Sequence, residues 1–361
     1  MIFIFIISFV SLIGLLVLHE FGHFILAKKF GVKVEEFGIG YPPRLFGKKI
    51  GDTIYSINLL PFGAFVAMPG EIGKRDELAS FSAAKLRYRI LIALGGVLSF
   101  WILAAIIFSI VMFVGAPTAV GDENIYNADN PKVQIVSVSK NSPAEKIGLR
   151  PGDIILKIKA KDTSFEENIT KTKQLQEFID DNKGKDLVLI VERGKEVFDS
   201  SITPRLIPPE GEGAMGVGLM RIIIKRYPWY LAPFYGLKAT GNLTVGVVNG
   251  WIEALGKVSQ GVPTGVEVVG PVGIFTLFTQ MGQLGATYFL QFIGIISVYM
   301  AVFNALPIPS ADGGKLVFLA IEGIRKKPVP EKAEQRITSF FFFLLVAIMM
   351  WVTIKDIRKI F

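Results

Sequence analysis

Four long apolar blocks, each bordered by charged residues, dominate the hydrophobic pattern of the chain: residues 2–27, 90–115, 288–306 and 340–354. A helix needs about 20 apolar residues to cross the hydrocarbon core of a bilayer. The last block is short as counted, but Ile337 and Ile357 can extend it. The pattern therefore predicts a polytopic α-helical membrane protein with about four transmembrane helices.

The sequence between the first two blocks does not continue as a helix. Gly51-Asp52 can close a hairpin into the strand-like residues 53–58. The segment that follows, residues 59–68, is too apolar for an ordinary solvated loop. Two interpretations stay open. It is either a β element that enters the membrane, where its edges can pair with an extended substrate, or a compact cytoplasmic hairpin without a substrate role.

The long region between the second and third blocks contains one stretch typical of a soluble α+β domain. Residues 134–138 alternate like a strand, and Ser142-Pro143-Ala144 opens a short helix that ends at Gly148. Further along, residues 227–258 form an amphipathic stretch with Trp and Tyr side chains. It is long enough to span a bilayer, but its polar interruptions fit a helix at the membrane interface better.

The first apolar block carries the sequence His19-Glu20-Phe21-Gly22-His23. On a helix, His19 and His23 project from one face and can share one metal ion. Glu20 can take a proton from an attacking water. These three are the only ionisable side chains in residues 1–27, and such groups are costly inside a membrane unless they have a function. The alternative is a pair of buried, hydrogen-bonded histidines beside an unrelated acid.

Composition narrows the chemistry of any metal site. The chain has 361 residues, 51% of them apolar, with no cysteine and two histidines. A thiolate zinc site is therefore excluded, and a third protein ligand must be a carboxylate. The net charge of +8 does not indicate a nucleic-acid partner, because the excess lies in short loops beside the apolar blocks. By the positive-inside rule, residues 28–89 and 307–336 lie in the cytoplasm and the long middle region lies outside.

A candidate for this third ligand follows the third apolar block, where Pro307, Pro309 and Gly313-Gly314 break the helix around Asp312. Irregular backbone at membrane depth is tolerated only where it is buried or lines a cavity. Asp312 is the one carboxylate at this break, and it could complete a site of two histidines and one carboxylate. Considered alone, Asp-Gly-Gly is also an ordinary turn, so both interpretations stay open here.

Three features together resemble the site-2 protease family and its RseP-like bacterial members. They are the His-Glu-Phe-Gly-His sequence, the run from Asn304 to Gly313, and a string from Ser142 to Asp153 that resembles bacterial PDZ domains. The resemblance implies a membrane-inserted β element, an extracytoplasmic PDZ domain and an intramembrane zinc metalloprotease. It also implies that His19, His23 and Asp312 bind one Zn²⁺ ion and that Glu20 is the catalytic base.

The resemblance further implies regulated intramembrane proteolysis of substrates such as anti-sigma factors or signal-peptide remnants. The implied partners are single-span membrane proteins trimmed by another protease, chain ends at the PDZ domain, and the lipid bilayer. The implied location is the inner, cytoplasmic membrane, with the active site toward the cytoplasm. The implied substrate-binding residues are Asn304, Pro307, Pro309, Leu59, Phe62, Gly63 and Phe65. Gly216-Val217-Gly218-Leu219 looks like the carboxylate-binding loop of a PDZ groove, although a plain turn fits it equally well.

Two positions depart from the family pattern. Ala311 stands where the family usually has Leu, and Ser99 stands where it has Asn and therefore lacks an amide donor. These changes concern the positioning of the substrate and leave the metal ligands intact. The alternative function is a non-catalytic, PDZ-containing membrane scaffold. A metal-handling membrane protein is less favoured, because a single site offers no transport path.

The predicted division of the chain follows from these features. It comprises a first transmembrane helix with the His-Glu motif (1–30), a cytoplasmic or re-entrant β region (31–87), a second transmembrane helix (88–116), a linker (117–130), a PDZ domain (131–207), a region with the interfacial helix (208–282), a third transmembrane helix (283–306), the Asp-Gly-Gly loop with a cytoplasmic segment (307–337) and a fourth transmembrane helix (338–358).

Overall fold

A computed structural model of the chain describes residues 2–71, 79–123, 130–161, 166–194, 196–261 and 269–360. The helices are α1 (Ile2–Lys29), α2 (Leu86–Val114), α3 (Pro143–Lys146), α4 (Thr172–Asp181), α5 (Ala232–Ser259), α6 (Pro271–Leu284), α7 (Ala286–Ala305), α8 (Asp312–Arg325) and α9 (Glu331–Ile360). The strands are β1 (Glu36–Ile50), β2 (Thr53–Ala67), β3 (Ala116–Ala119), β4 (Lys132–Val138), β5 (Ile154–Ala160), β6 (Glu167–Asn168), β7 (Leu187–Arg193), β8 (Glu196–Ile202) and β9 (Val217–Lys225).

Four helices within the described residues are long and apolar enough to cross a membrane, namely α1, α2, α7 and α9. They coincide with the four apolar blocks of the sequence. Their outward faces carry many exposed large apolar side chains, for example Phe3, Ile102 and Trp351. Such faces are stable in lipid and unstable in water. The prediction of a multi-pass helical membrane protein is therefore confirmed at this level.

The chain divides into two compact units, and the first consists of residues 1–109, 233–277 and 293–361. Its strands β1 and β2 form the hairpin predicted around Gly51-Asp52, but the hairpin folds back on itself. Residues 36–39 of β1 pair with residues 54–57 of β2 on one side and with residues 64–67 on the other. The far part of the hairpin exposes large apolar side chains that include Leu45, Phe46, Leu59 and Leu60.

Helix α5 is continuous and packs on the membrane helices of the first unit. Its Val247 lies in a buried cluster with Ala104 and Phe108 of α2 and with Val298 and Val302 of α7. The face opposite this cluster carries exposed apolar side chains such as Ile252 and Leu255. The predicted interfacial helix is therefore a helix, but one of its faces is covered by α2 and α7. Its position relative to a bilayer remains a prediction.

The second unit consists of residues 110–232 and 278–292 and contains a seven-stranded sheet. The strand order is β3-β9-β4-β5-β7-β8, with β6 paired to β5. The core is aliphatic and includes Val133, Ile155, Leu175 and Leu189. Helix α3 begins where the sequence predicts, because the Ser142 hydroxyl accepts a hydrogen bond from the Glu145 N–H. Strands β3 and β9 extend this sheet beyond both ends of the predicted domain, residues 131–207.

Asp122 caps helix α4 from a distant part of the chain. The N–H groups of Thr172 and Lys173 donate to its carboxylate at 3.1 and 2.8 Å, and the Thr172 hydroxyl donates at 2.7 Å. Burial raises the pKa of the Asp122 carboxyl, but these hydrogen bonds outweigh it and the pKa lies below its ordinary 3.8. The prediction of a linker over residues 117–130 is therefore wrong for its first part, which holds residues of β3 and the Asp122 cap, while residues 124–129 lie outside the described residues.

We expect Asp122→Ala to destabilise α4 by about 1 kcal/mol at neutral pH, the usual contribution of a helix cap. A carboxylate with a lowered pKa stabilises the fold above its unfolded pKa, and this contribution is lost as the pH falls through the folded pKa. The difference between parent and variant should therefore shrink below about pH 4. Hydrogen exchange of the α4 amides in the full chain measures it, with Asp199→Ala as control. Equal protection of parent and Asp122→Ala at pH 7 would contradict the expectation.

Candidate active site

Three side chains converge beside the first membrane helix in an almost equilateral triangle. Nε2 of His19 lies 3.4 Å from Nε2 of His23, and Oδ2 of Asp312 lies 3.4 Å from each of these nitrogens. His23 is buried, and the other two side chains are partly buried. The three residues predicted from the sequence to share a metal ion are therefore brought together, although nearly three hundred residues separate Asp312 from the histidines.

The geometry of the triangle fits a tetrahedral zinc ion. Zinc binds imidazole nitrogen and carboxylate oxygen at about 2.0–2.1 Å, which separates adjacent tetrahedral ligands by about 3.3–3.4 Å. Oδ2 of Asp312 is buried, and no hydrogen-bond partner for it occurs among the described residues. A buried carboxylate oxygen is costly without a partner, and a cation in the triangle would remove that cost. The donor set thus suits zinc, with a fourth position left for a reactant.

The break between α7 and α8 places Asp312 at the first residue of α8. The two glycines that follow have no room for a side chain. A methyl group added at Gly313 would collide with the carbonyl oxygen of Leu306, and one added at Gly314 would collide with the carbonyl oxygen of Ile308. The Asp-Gly-Gly sequence is therefore required by a tight fold-back of the chain, which turns the carboxylate toward α1.

Helix α2 orients His23 through its backbone and His19 through a ring contact. The carbonyl oxygen of Ile92 accepts a 2.8 Å hydrogen bond from Nδ1 of His23, which leaves Nε2 free to face Asp312. Metal-binding histidines commonly have such a partner, because it fixes the ring and its tautomer. The His19 ring stacks on Phe100 with a centroid distance of 4.9 Å and an interplanar angle of 18°. Neither Ile92 nor Phe100 was recognisable as part of the site from the sequence, since both lie in a uniformly apolar block.

Helices α1 and α2 cross at glycines beside the histidines. A methyl group added at Gly95 would lie 2.6 Å from the carbonyl oxygen of Gly22 and 3.0 Å from Cδ1 of Leu26. One added at Gly96 would collide with Nε2 of His23 and would lie 2.7 Å from Nδ1 of His19. Small residues allow this close approach of membrane helices. The Ser99 hydroxyl donates a 2.6 Å hydrogen bond to the carbonyl oxygen of Gly96 in its own helix. This bond therefore does not connect Ser99 to the metal ligands.

Glu20 faces the end of strand β2. Its carboxylate lies beside the backbone N–H of Val66. Residues 64–67 of β2 pair with β1 on one side, and no described strand pairs with them on the other; β2 as a whole packs against α1. The candidate base and the apolar segment predicted to receive a substrate therefore lie next to each other.

The other predicted substrate residues are placed less uniformly. Phe65 stacks on Tyr41, and Gly63 has no room for a methyl group because of the same ring. Leu59 is exposed at the far part of the hairpin, and the Phe62 side chain lies outside what the structure describes. Asn304 donates to the carbonyl oxygen of Met300 in its own helix at 2.9 Å, and no described contact joins it to the triangle.

A cavity of about 170 Å³ adjoins the metal site. His23, Asp312 and Pro309 contribute to its wall, whereas Pro307 is exposed and does not line it. The wall also contains three charged residues that sequence reasoning did not assign to the site: Glu71, Lys315 and Glu334. Burial raises the pKa of the Glu71 carboxyl above its ordinary value, although the Lys315 ammonium acts in the opposite direction. No motif signals these residues; their spacing in the sequence is irregular.

Three of the four residues predicted to form a PDZ groove line a separate cavity of about 310 Å³ in the second unit. Gly216, Val217 and Leu219 line it from β9, and Gln176 and Ile179 line it from α4. The fourth predicted residue, Gly218, faces Ser137 of β4 instead. Strand β3 covers only residues 222–225 of β9. In the described part of the chain no strand pairs with residues 217–220 on that side, so the strand edge beside the cavity is open.

Comparison with known proteins identifies the family. The model of peptidase family M50 matches residues 7–348. The chain belongs to peptidase family M50. A Clostridium perfringens protein named as a zinc metalloprotease is 35% identical over 345 residues, which cover 95% of each chain. The regulator of sigma-W protease RasP of Bacillus subtilis is 25% identical over 99% of each chain. The assignment to the site-2 protease family made from the sequence is thereby confirmed.

Proposed function

We propose that this M50 chain is an intramembrane zinc metalloprotease that hydrolyses peptide bonds in transmembrane segments of other membrane proteins. The observation that carries the proposal is the triangle of His19, His23 and Asp312 next to Glu20 on a helix apolar enough to span a membrane. Family membership makes peptide hydrolysis the reaction for which this arrangement is used.

In the proposed mechanism His19, His23 and Asp312 hold one Zn²⁺ ion. Bound there, the ion would supply Lewis acidity to a reactant water and to the scissile carbonyl group. Glu20 takes the proton from the attacking water and returns it to the leaving amine. The Val66 N–H beside Glu20 would help to orient its carboxylate during both transfers. The contact of His23 with the Ile92 carbonyl keeps Nε2 directed at the metal.

The substrate reaches the site as an extended strand, because a helix hides its peptide bonds in its own hydrogen bonds. The end of β2, residues 64–67, offers a strand edge beside Glu20 for pairing with it. The exposed apolar side chains of the hairpin support its insertion into the membrane. Asn304, Pro307 and Pro309 lie at or before the α7–α8 break, and we assign them a role in holding the other side of the substrate.

The sheet of the second unit is proposed to be a PDZ domain that accepts a chain end by β-augmentation on the open edge of β9. The Lys and Arg clusters of residues 28–89 and 307–336 support an orientation with the active site toward the cytoplasm and this domain outside. The proposed substrates are single-span membrane proteins trimmed beforehand by another protease, and the name of RasP, regulator of sigma-W protease, supports a role in sigma-factor regulation. The domain would then exclude untrimmed ectodomains.

A non-catalytic PDZ scaffold is the alternative, and it accounts for the groove but not for the metal triangle. A scaffold does not need a buried carboxylate oxygen that lacks a partner beside two histidines. A scaffold would also still bind its partners when Glu20 is replaced, and it would lose this binding when the groove is blocked. The two functions therefore differ in their response to a single substitution.

Metal analysis tests the proposed centre. We expect the purified full chain to contain about one equivalent of zinc, and His23→Ala and Asp312→Ala to lose most of it, because each removes one of three protein ligands. His19→Ala should behave in the same way. Elemental analysis after removal of loosely bound metal measures this, with Asp199→Ala as control. Equal zinc in the parent and Asp312→Ala would contradict the assignment of the third ligand.

A further inference from the structure

The start of α8, which carries Asp312, has no side-chain cap. Its N-cap residue is Ala311, whose side chain makes no capping hydrogen bond. Lys315 lies three residues after Asp312, so it occupies the next turn on nearly the same side of the helix. A contact made by Lys315 therefore acts on the turn that presents the carboxylate.

Lys315 joins three separate parts of the chain. Its ammonium group donates to the backbone carbonyl oxygen of Glu71 and lies 2.7 Å from Oε1 of Glu334 in α9. It also lies 5.5 Å from the centre of the Phe81 ring, which is almost fully buried. The Lys315 and Glu334 side chains are only 19% and 15% exposed. An ion pair so well shielded from water holds its geometry better than a solvent-exposed pair.

Helix α9 contacts the other side of the same turn. The Thr338 hydroxyl donates to the carbonyl oxygen of Pro309 at 3.2 Å. Thr338 follows Glu334 by four residues, so both side chains project from one face of α9. This face of α9 thus contacts the chain on both sides of Asp312. Thr338 binds Pro309 before it, and Glu334 pairs with Lys315 after it. Lys315 and Glu334 also line the cavity that contains His23 and Asp312.

We propose that Lys315, paired with Glu334, is a positioning residue that fixes the start of α8 and thereby sets the distance of Asp312 from the two histidines. This inference rests on the proposed zinc centre. Lys315 does not touch the metal or the substrate in this role; it acts through Asp312. A residue that orients a metal ligand typically changes metal affinity about 10–100-fold when it is replaced.

The test is the zinc affinity of the purified full chain, measured by competition with a chelating dye. Lys315→Met keeps the length of the side chain and removes its charge, and Glu334→Gln keeps the shape of its partner. We expect Lys315→Met to bind zinc about 10–100-fold more weakly than the parent. Glu334→Gln should weaken binding in the same direction, and the double variant should be no weaker than Lys315→Met, because the pair acts as one unit. Lys332→Met, an exposed lysine in the first turn of α9, is the control and should bind like the parent.

Zinc affinities of Lys315→Met and Glu334→Gln that stay within about twofold of the parent would overturn the inference, even if the variants melt at lower temperature. Additive effects of the two substitutions would also contradict it. If Lys315→Met does not fold, Glu334→Gln alone decides the question by the same criterion. His23→Ala separates the two proposals. Unchanged zinc binding in His23→Ala would contradict the metal centre, whereas a loss in His23→Ala without any change in Lys315→Met would contradict only the positioning role.

Discussion

Replacing Glu20 with Gln should reduce cleavage of a membrane substrate by about 10²–10⁴-fold, the range that general acid–base catalysis contributes. This corresponds to about 3–5 kcal/mol of lost transition-state stabilisation. The amide has nearly the shape of the carboxylate but cannot take a proton from water. Glu20 lies beside the metal triangle without belonging to it, so the zinc content of the variant should equal that of the parent.

The measurement uses the full chain, reconstituted in liposomes with a single-span substrate, and follows the appearance of the fragments. Glu177→Gln, an exposed acid of α4, is the matched control and should cleave at the parental rate. In cells, membranes that contain Glu20→Gln protein should accumulate uncut single-span stubs, which quantitative proteomics detects. Cleavage by Glu20→Gln at the rate of the parent, with zinc bound, would refute the protease mechanism and favour the scaffold.

The parts of this site that the sequence predicts are those with strong local constraints. His19 and His23 are the only histidines, and they stand four residues apart in a helix that is otherwise apolar. The four apolar blocks are equally clear, because a lipid-facing helix leaves little freedom in composition. Both predictions depend only on spacing and hydrophobicity within a short segment, so they do not require knowledge of the tertiary fold.

The role of Asp312 does not follow from the local sequence alone. Residue chemistry makes Asp312 a possible third ligand but leaves an ordinary Asp-Gly-Gly turn equally open, and only the family resemblance favours the ligand. The structure adds a local physical reason, since backbone carbonyl groups leave no space for a side chain at Gly313 or Gly314. That constraint is tertiary in origin, because it depends on how closely the chain returns to residues 305–309.

The supporting residues could not be found from the sequence at all. The Ile92 carbonyl contributes a backbone atom, which any residue type supplies. Lys315 lies in α8 and Glu334 in α9, 19 residues further along, so no local pattern signals their pairing beside the metal site. Strand β3, at the edge of the sheet in the second unit, is also missing from the prediction. Its four residues are too few to show an alternating pattern.

The glycines at the α1–α2 crossing lead to the second large expected effect. Gly96→Ala should weaken zinc binding by at least about 10–100-fold, because the added methyl group would displace both imidazole rings from the triangle. Gly95→Ala acts differently, since its methyl group meets the backbone of Gly22 and must separate the two helices, an overpacking that typically costs about 1–3 kcal/mol of stability.

Gly14→Ala, in the same helix as the histidines, has free space around the new methyl group and is the control. It should leave zinc binding unchanged, and helix propensity favours Ala over Gly at such a position by about 1 kcal/mol. Zinc affinity and thermal unfolding of the three variants distinguish these effects. Parental zinc affinity in Gly96→Ala would show that the histidine rings do not lie against α2 as described, and the role assigned to this crossing in shaping the metal centre would have to be abandoned.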